Sequence, residues 1–400
     1  MNNPPRHILP VIVLAQFCCT ALWFAGNAVL PDLVRDFGLD RGALGHITSA
    51  VQFGFITGTL VYAVLTIADR LSPSRVFLAS ALAGALFNLG VTLEGQTLPS
   101  LLFFRFLTGF FLAGIYPVGM KIAADYYQKG LGKSLGFLVG ALVLGTAFPH
   151  LLKGFSGDLP WRFVLILTSG LAVAGGLLIA LLVPDGPHRK PGQKPDFGAL
   201  FRVFRNANFR SAAFGYFGHM WELYAFWAFV PVLLNSFNLY HPDARLNVPV
   251  LSFLIIGCGG LACVAGGYIS ERLGAKRTAG IALFSSGLCC LVSPLLFFTN
   301  SGFVFTGFLL FWGMVVIADS PLFSSMVAHN APAESKGTAL TVVNCIGFSI
   351  TIISIQLLNL SYEMINPRYI YLILAPGPAL GLWAMFAGRR NREPHAERVV

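Results

Sequence analysis

The sequence predicts an all-α membrane protein whose twelve transmembrane helices form two six-helix bundles related by an internal repeat. Three observations carry that reading: a composition too apolar for water, twelve apolar runs of spanning length, and short motifs that recur at an offset near 200 residues.

Of the 400 residues, 56% are hydrophobic and 11% charged, whereas soluble domains carry roughly a quarter charged residues. A soluble chain of this length would form two or three domains, each with a polar shell, and the residues to build those shells are missing. The net charge of +10 does not mark a nucleic-acid binder. Its basic residues fall between hydrophobic runs instead of forming one patch with interleaved aromatics, so lipid is the expected surrounding and no nucleic acid the expected partner. All seven cysteines lie in apolar runs without a CxxC pair or a cluster of metal-ligand residues, so they read as small hydrophobes and no metal is expected. Arg6 before a long apolar run imitates a signal peptide, but the run is too long for that.

A helix needs about 20 apolar residues to cross the hydrocarbon core, where lipid offers its backbone no partners. Such segments cover 8–31, 43–68, 76–93, 98–121, 134–152, 162–183, 211–236, 247–270, 278–299, 302–327, 338–360 and 368–388. With the N-terminus inside, 20 of the 27 Lys and Arg are cytoplasmic and six are outside, with Arg105 within span four. The positive-inside rule therefore puts both termini in the cytoplasm of an inner-membrane protein. Pro184, Pro187, Pro191 and Pro195, followed by Arg202, Arg205 and Arg210, mark the joint between the bundles. The expected organisation is a first bundle over 1–183, a cytoplasmic linker over 184–210, a second bundle over 211–388 and a tail over 389–400.

The halves correspond at several points. Pro31 closes span one as Pro231 nears the end of span seven, and Pro117 and Pro321 match in spans four and ten. Asp69-Arg70-Leu71 after span two corresponds to Glu271-Arg272-Leu273 after span eight. Trp161-Arg162-Phe163 and Pro367-Arg368-Tyr369 open spans six and twelve. The stretch Gly267-Tyr-Ile-Ser-Glu271-Arg272-Leu-Gly274-Ala-Lys276-Arg277 resembles the loop signature of the major facilitator superfamily. Its first-half copy is degenerate, with Leu65 and Ser72 in place of glycines, but keeps Asp69 and Arg70. The resemblance implies a latch in which acid and Arg pair across helix ends while glycine lets helices approach. Arg105-Phe-Leu-Thr108-Gly109 is similar to the family's buried arginine followed by glycine, which implies a part in coupling. Gly136 and Gly145 fit the family's antiporter spacing, but Pro149 comes one place early and Lys153 disrupts the final glycine pair, so antiport does not follow.

Three Asp, Glu, Lys or Arg residues lie well inside the spans: Arg105, Glu222 and Asp319. An ionised group in hydrocarbon needs a partner or an aqueous path. Glu222 follows His219 by three residues, which puts both on one face of span seven. A carboxyl there, reached by water from either side in turn, would load and release protons, assisted by His219; a structural hydrogen bond to a neighbouring span is the rival reading. Asp319 precedes Ser320-Pro321, where proline frees a carbonyl, and reads as a second protonation site or a substrate contact, with a carboxylate satisfied by hydroxyls or a basic group as the rival reading. Lys121 near Asp125 is explained by snorkelling to the interface.

Gln16, Thr20, Trp23 and Asn27 recur at helical spacing and form a polar stripe on span one, and Thr48, Gln52, Phe55, Thr59 and Tyr62 form a similar line on span two. The family's fold places spans one, four, seven and ten around a central cavity, so the stripe residues, with Gln52, Tyr224 and Trp227, are the expected substrate contacts. No phosphate-binding glycine loop, HExxH or positioned nucleophile is present, so the chain is not expected to be an enzyme or to need a cofactor. The expectation is a monomeric secondary transporter that moves a small polar organic solute or organic anion by alternating access with proton coupling. Drug or metabolite efflux by proton antiport, a membrane solute sensor and a lipid flippase remain the alternatives.

Overall fold

The twelve expected spans emerge as helices, and several of them are broken. The computed structural model describes residues 5–40, 42–127, 131–157, 159–189, 203–332 and 336–387; the tail expected over 389–400 and much of the linker lie outside them. Among the described residues there is no strand. Among the described residues nine helices are long and apolar enough to cross a membrane, two shorter apolar helices (Ile8–Thr20 and Ile370–Phe386) accompany them, and span three, Pro73–Gly90, completes the set. Large apolar side chains face outward, Leu86, Leu261 and Phe303 among them, as a surface bathed in lipid requires.

Span one runs over Ile8–Thr20, breaks, and resumes as Ala25–Ala28 before an outer helix, Leu30–Phe37. Pro31 thus opens that outer helix instead of closing the span, while Pro231 sits within the unbroken span seven, Ala207–Tyr240. Span two is Ala43–Val64, span five Leu131–Phe155 and span six Arg162–Leu182. Span eight is Val248–Leu273, span nine Ala275–Leu296 and span eleven Lys336–Met364. Span twelve begins as a 3₁₀ turn, Ile370–Leu374, and continues as Pro376–Phe386.

The repeat is sharpest in spans four and ten. Span four is Leu98–Leu112 followed by Tyr116–Tyr126, and span ten is Gly302–Val315 followed by Ser320–Asn330. Pro117 and Pro321 occupy the opening turn of each second piece, where a proline's missing N–H is cheapest but leaves the preceding piece without a donor. One turn or more before each break a glycine presses on another helix. A Cβ on Gly109 would stand 2.0 Å from the carbonyl oxygen of Val51 in span two, and a Cβ on Gly313 would stand 2.0 Å from that of Ile255 in span eight. Both the glycines and the carbonyls they touch are related by the same offset as the two prolines. In lipid, where hydrophobicity does not drive helices together, such backbone contact replaces it.

Spans one, three, four and six pack mainly on their own half, as do seven, nine, ten and twelve. The halves meet chiefly along two crossed pairs, span five on span eight and span two on span eleven. We expect Gly109→Ala and Gly313→Ala each to cost about 1–3 kcal/mol through overpacking. Thermal unfolding of the purified protein in detergent should show similar losses at the two sites, and an unchanged midpoint in either variant would remove the equivalence.

Candidate functional site

The site is organised by the break in span one. Between Thr20 and Ala25 the helix ladder lapses, which leaves the carbonyls of Leu22 and Trp23 without intrahelical donors. Arg105 supplies them: its Nη2 donates to both carbonyl oxygens, 3.1 Å to Leu22, and its Nη1 donates to Asn88 Oδ1 at 2.9 Å. Asn88 in turn donates to Ser169 Oγ of span six at 3.0 Å. Gly26 lies so close that a Cβ there would be 3.2 Å from Arg105 Nε. Arg105 is only 1% exposed, and the oxygens that its guanidinium reaches are all neutral.

That pin presents Trp23 to the opposite half. Trp23 stacks on Tyr224 of span seven at 5.7 Å and on Phe348 of span eleven at 5.8 Å, and tilts against Phe55 of span two at 4.8 Å. Tyr224 continues to Trp227 at 5.3 Å, while Phe24 meets both Trp227 and His150 of span five edge-on at 6.4 Å. Five spans from both halves therefore close on one aromatic cluster. Within it the indole Nε1 atoms of Trp23 and Trp227 and Nε2 of His150 are buried without partners among the described residues, a condition that costs free energy unless something else supplies the hydrogen bonds.

The remaining stripe residues scatter. Gln16 points at Gly119 of span four, Thr20 donates to the Gln16 carbonyl and abuts Gly145 of span five, and Asn27 donates to Thr48 at 2.7 Å. These contacts are all within the first half. Gln16 and Gln52 are fully buried, and neither amide has a hydrogen-bond partner among the described residues.

The ionisable groups of the second half form their own nest. Glu222 accepts from Ser286 Oγ at 2.8 Å, Cys290 Sγ at 3.3 Å and Trp312 Nε1 at 2.6 Å. His219 turns instead to Asp319, with Nδ1 2.8 Å from Oδ1. The shared face of His219 and Glu222 thus holds, but each has a different partner. Sequence reasoning missed Ser286 and Cys290; their spacing of four on span nine, both polarisable groups in an apolar run, was the available signal.

Among the described residues no ion pair of Asp69, Arg70, Glu271 or Arg272 joins the halves. Asp69 pairs with Lys121 at 2.7 Å, and Arg70 is exposed. Glu271, Arg272, Gly274 and Arg277 are exposed too, while Lys276 lies over the Phe386 ring at 5.5 Å. Gly267 and Gly274 have open space where a Cβ would go, so the close approach expected of these glycines is absent. Gly274 serves the turn instead, with φ +83 at the start of span nine.

At the opposite end the halves are tied. Asn359 of span eleven accepts from Gly45 N at 3.2 Å and donates to Gly42 O at 3.1 Å, and Gln356 donates to Ser49 Oγ at 2.8 Å. A Cβ on Gly45 would stand 2.5 Å from Asn359 Cγ. Spans five and eight repeat the asymmetry. Gly154 sits against Val250 and Gly140 against Gly260, but beside Gly136 and Gly267 there is open space.

A family model described as Major Facilitator Superfamily matches residues 12–355. The chain belongs to that superfamily. It is a multi-pass membrane transporter of small solutes and not an enzyme. It is 23% identical over 358 residues to the 4-hydroxybenzoate transporter PcaK of Pseudomonas aeruginosa, covering 80% of this chain and 78% of that one. It is 27% identical over 306 residues to the probable nitrate/nitrite antiporter NarK1 of Thermus thermophilus, covering 72% and 67%. Among solved structures, a point mutant of the nucleoside transporter NupG superposes with a TM-score of 0.72 at 14% identity over 95% of this chain and 99% of that one, which establishes the shared fold.

Loss of the Asn359 hydrogen bonds, worth about 1 kcal/mol each, should loosen the tied end. Spin labels on the Gly42 ends of span two and span eleven should show more long distances in Asn359→Ala than in the parent, and identical distributions would mean that these contacts do not hold the end shut.

Proposed function

We propose that the protein is an inner-membrane secondary active transporter of small aromatic carboxylates, working as a monomer by alternating access and coupled to protons. The observation that carries the substrate class is the aromatic cluster shared by the two halves, with the unpartnered N–H groups of Trp23 and Trp227 and the ring nitrogen of His150 inside it. Flat rings stack where Trp23, Tyr224 and Phe348 now stack on one another. The indole donors, with His150 Nε2 as a further donor in its Nε2–H tautomer, offer a carboxylate hydrogen bonds that the cluster itself does not satisfy. A transporter of 4-hydroxybenzoate and a probable antiporter of nitrate and nitrite among the relatives support an anion as cargo; the cluster favours the aromatic one.

Both termini are placed in the cytoplasm by the loop charges. The moving bodies are the bundles over 1–183 and 211–388, with 184–210 as the joint. Rocking about the cluster would release the Asn359 contacts and bring the latch residues Asp69, Arg70, Glu271 and Arg272 together. Glu222 is the proposed proton carrier, with His219 and Asp319 as its relay: among the described residues of the second half, Glu222 and Asp319 are the acids buried to 1% exposure, and His219 touches Asp319. Arg105 contributes by holding the span-one break that aims Trp23.

Proteoliposomes should take up labelled 4-hydroxybenzoate saturably, with competition from benzoate and little from nitrate; uptake of nitrate alone would sink the substrate class. Trp227→Phe keeps a ring and removes one donor, so KM should rise roughly tenfold, the equivalent of about 1.4 kcal/mol. With an imposed proton gradient, Glu222→Gln should lose accumulation while keeping counterflow exchange. Undiminished accumulation in that variant would reassign the proton to another group.

A further inference from the structure

At the end of the molecule opposite the Asn359 contacts, a cavity of about 500 Å³ opens between the turn after span two, the start of span three and the end of span six. Its charged lining is Arg70, Arg75, Asp185 and Arg189, three cations against one anion. Asp185 is spent on the wall, since its Oδ1 accepts from Ser72 Oγ and its Oδ2 from Arg189 Nη1, each at 2.6 Å. Arg189 is also spent, donating through Nη2 to the carbonyls of Asp69 at 3.0 Å and Leu71 at 2.7 Å. Ser74 Oγ ties the start of span three to the Val183 carbonyl at 2.6 Å. The walls are therefore cross-linked before any ligand arrives.

What is left over is donor capacity of one sign. Among the described residues Arg70 and Arg75 form no ion pair, and both are exposed. Span three begins at Pro73 with no side-chain cap, so the N–H groups of Ser74 and Arg75 in its first turn have no intrahelical acceptor. Two free guanidinium groups over an uncapped helix start suit a tetrahedral oxyanion. Leu71, next to Arg70, and Leu181 and Leu182, next to Val183, are 57%, 77% and 45% exposed, which sets an apolar rim beside these lining residues. A soluble anion has no use for that rim, whereas an acyl chain does.

We propose that this cavity binds the phosphate headgroup of an anionic phospholipid, with Arg70 and Arg75 on the phosphate and the leucine rim against its acyl chains. The ligand would clamp the ends of spans two, three and six, beside the Asp69–Lys121 pair.

The test is native mass spectrometry of the full chain with phosphatidylglycerol, with phosphatidylcholine and with inorganic phosphate alone, alongside thermal shift. Phosphatidylglycerol should be retained and stabilising, and phosphatidylcholine should not. Arg70→Ala with Arg75→Ala should weaken retention roughly twenty-five-fold, at about fivefold per arginine. Arg70→Lys with Arg75→Lys keeps the charge and should restore most of it, which separates lost binding from lost folding. Equal retention in the alanine pair would overturn the site. Stabilisation by inorganic phosphate to the same extent as by phosphatidylglycerol would overturn the lipid as the occupant.

Discussion

The contact on which the site's arrangement rests is that of Arg105 with the broken backbone of span one. Hydrocarbon tolerates neither an unpaired carbonyl nor a lone guanidinium, yet the structure holds two such carbonyls and one such cation in the same place. Each removes the other's cost. The break can then persist, Gly26 can lie against the arginine, and the turn that carries Trp23 is fixed toward the second half. A straight span one would keep its ladder and leave Arg105 with Asn88 alone.

The two halves are stiffened by a device that is used twice. Gly109 on Val51 and Gly313 on Ile255 bring backbones into contact just ahead of a proline break, so each half behaves as a packed unit across its weakest helix. Apart from the glycine approaches of spans five and eight, the contacts described between the halves are of another kind. Aromatic faces at the middle and neutral amide hydrogen bonds at the Asn359 end involve no buried charge, so separating them strands nothing in a low dielectric. That difference is what a machine with two rigid bodies and a movable seam requires.

Much of the fold was legible because it follows from composition and spacing: span count, repeat, and the matched prolines of spans four and ten. Span one was not, since nothing in Thr20 to Phe24 announces a break; it is set by an arginine 82 residues away from Trp23. Trp23, Tyr224 and Trp227 were readable as residues in the right spans and Phe55 as one of the line on span two, but Phe348 joins them only through packing between halves and His150 only through its contact with Phe24. Periodicity treated Gln16, Thr20 and Asn27 as one cavity-facing stripe. Gln16 and Thr20, on the unbroken first piece, already meet spans four and five, and the break carries Asn27 to span two. The latch motif was legible as sequence, while its contacts depend on which end is closed.

The separation of charge from the seam bears on mechanism. Glu222 and the His219–Asp319 pair lie inside the second half, on spans seven, nine and ten, whereas the cluster proposed for substrate lies between halves. Span seven carries both: Glu222 faces span nine, and Tyr224, two residues on, stacks with Trp23. An unbroken helix transmits rotation, so a change of protonation that repacks Glu222 against Ser286 and Trp312 would turn Tyr224 relative to Trp23. Coupling in the proposed cycle therefore needs no contact between proton and cargo, only the rigidity of the one core span that is not broken.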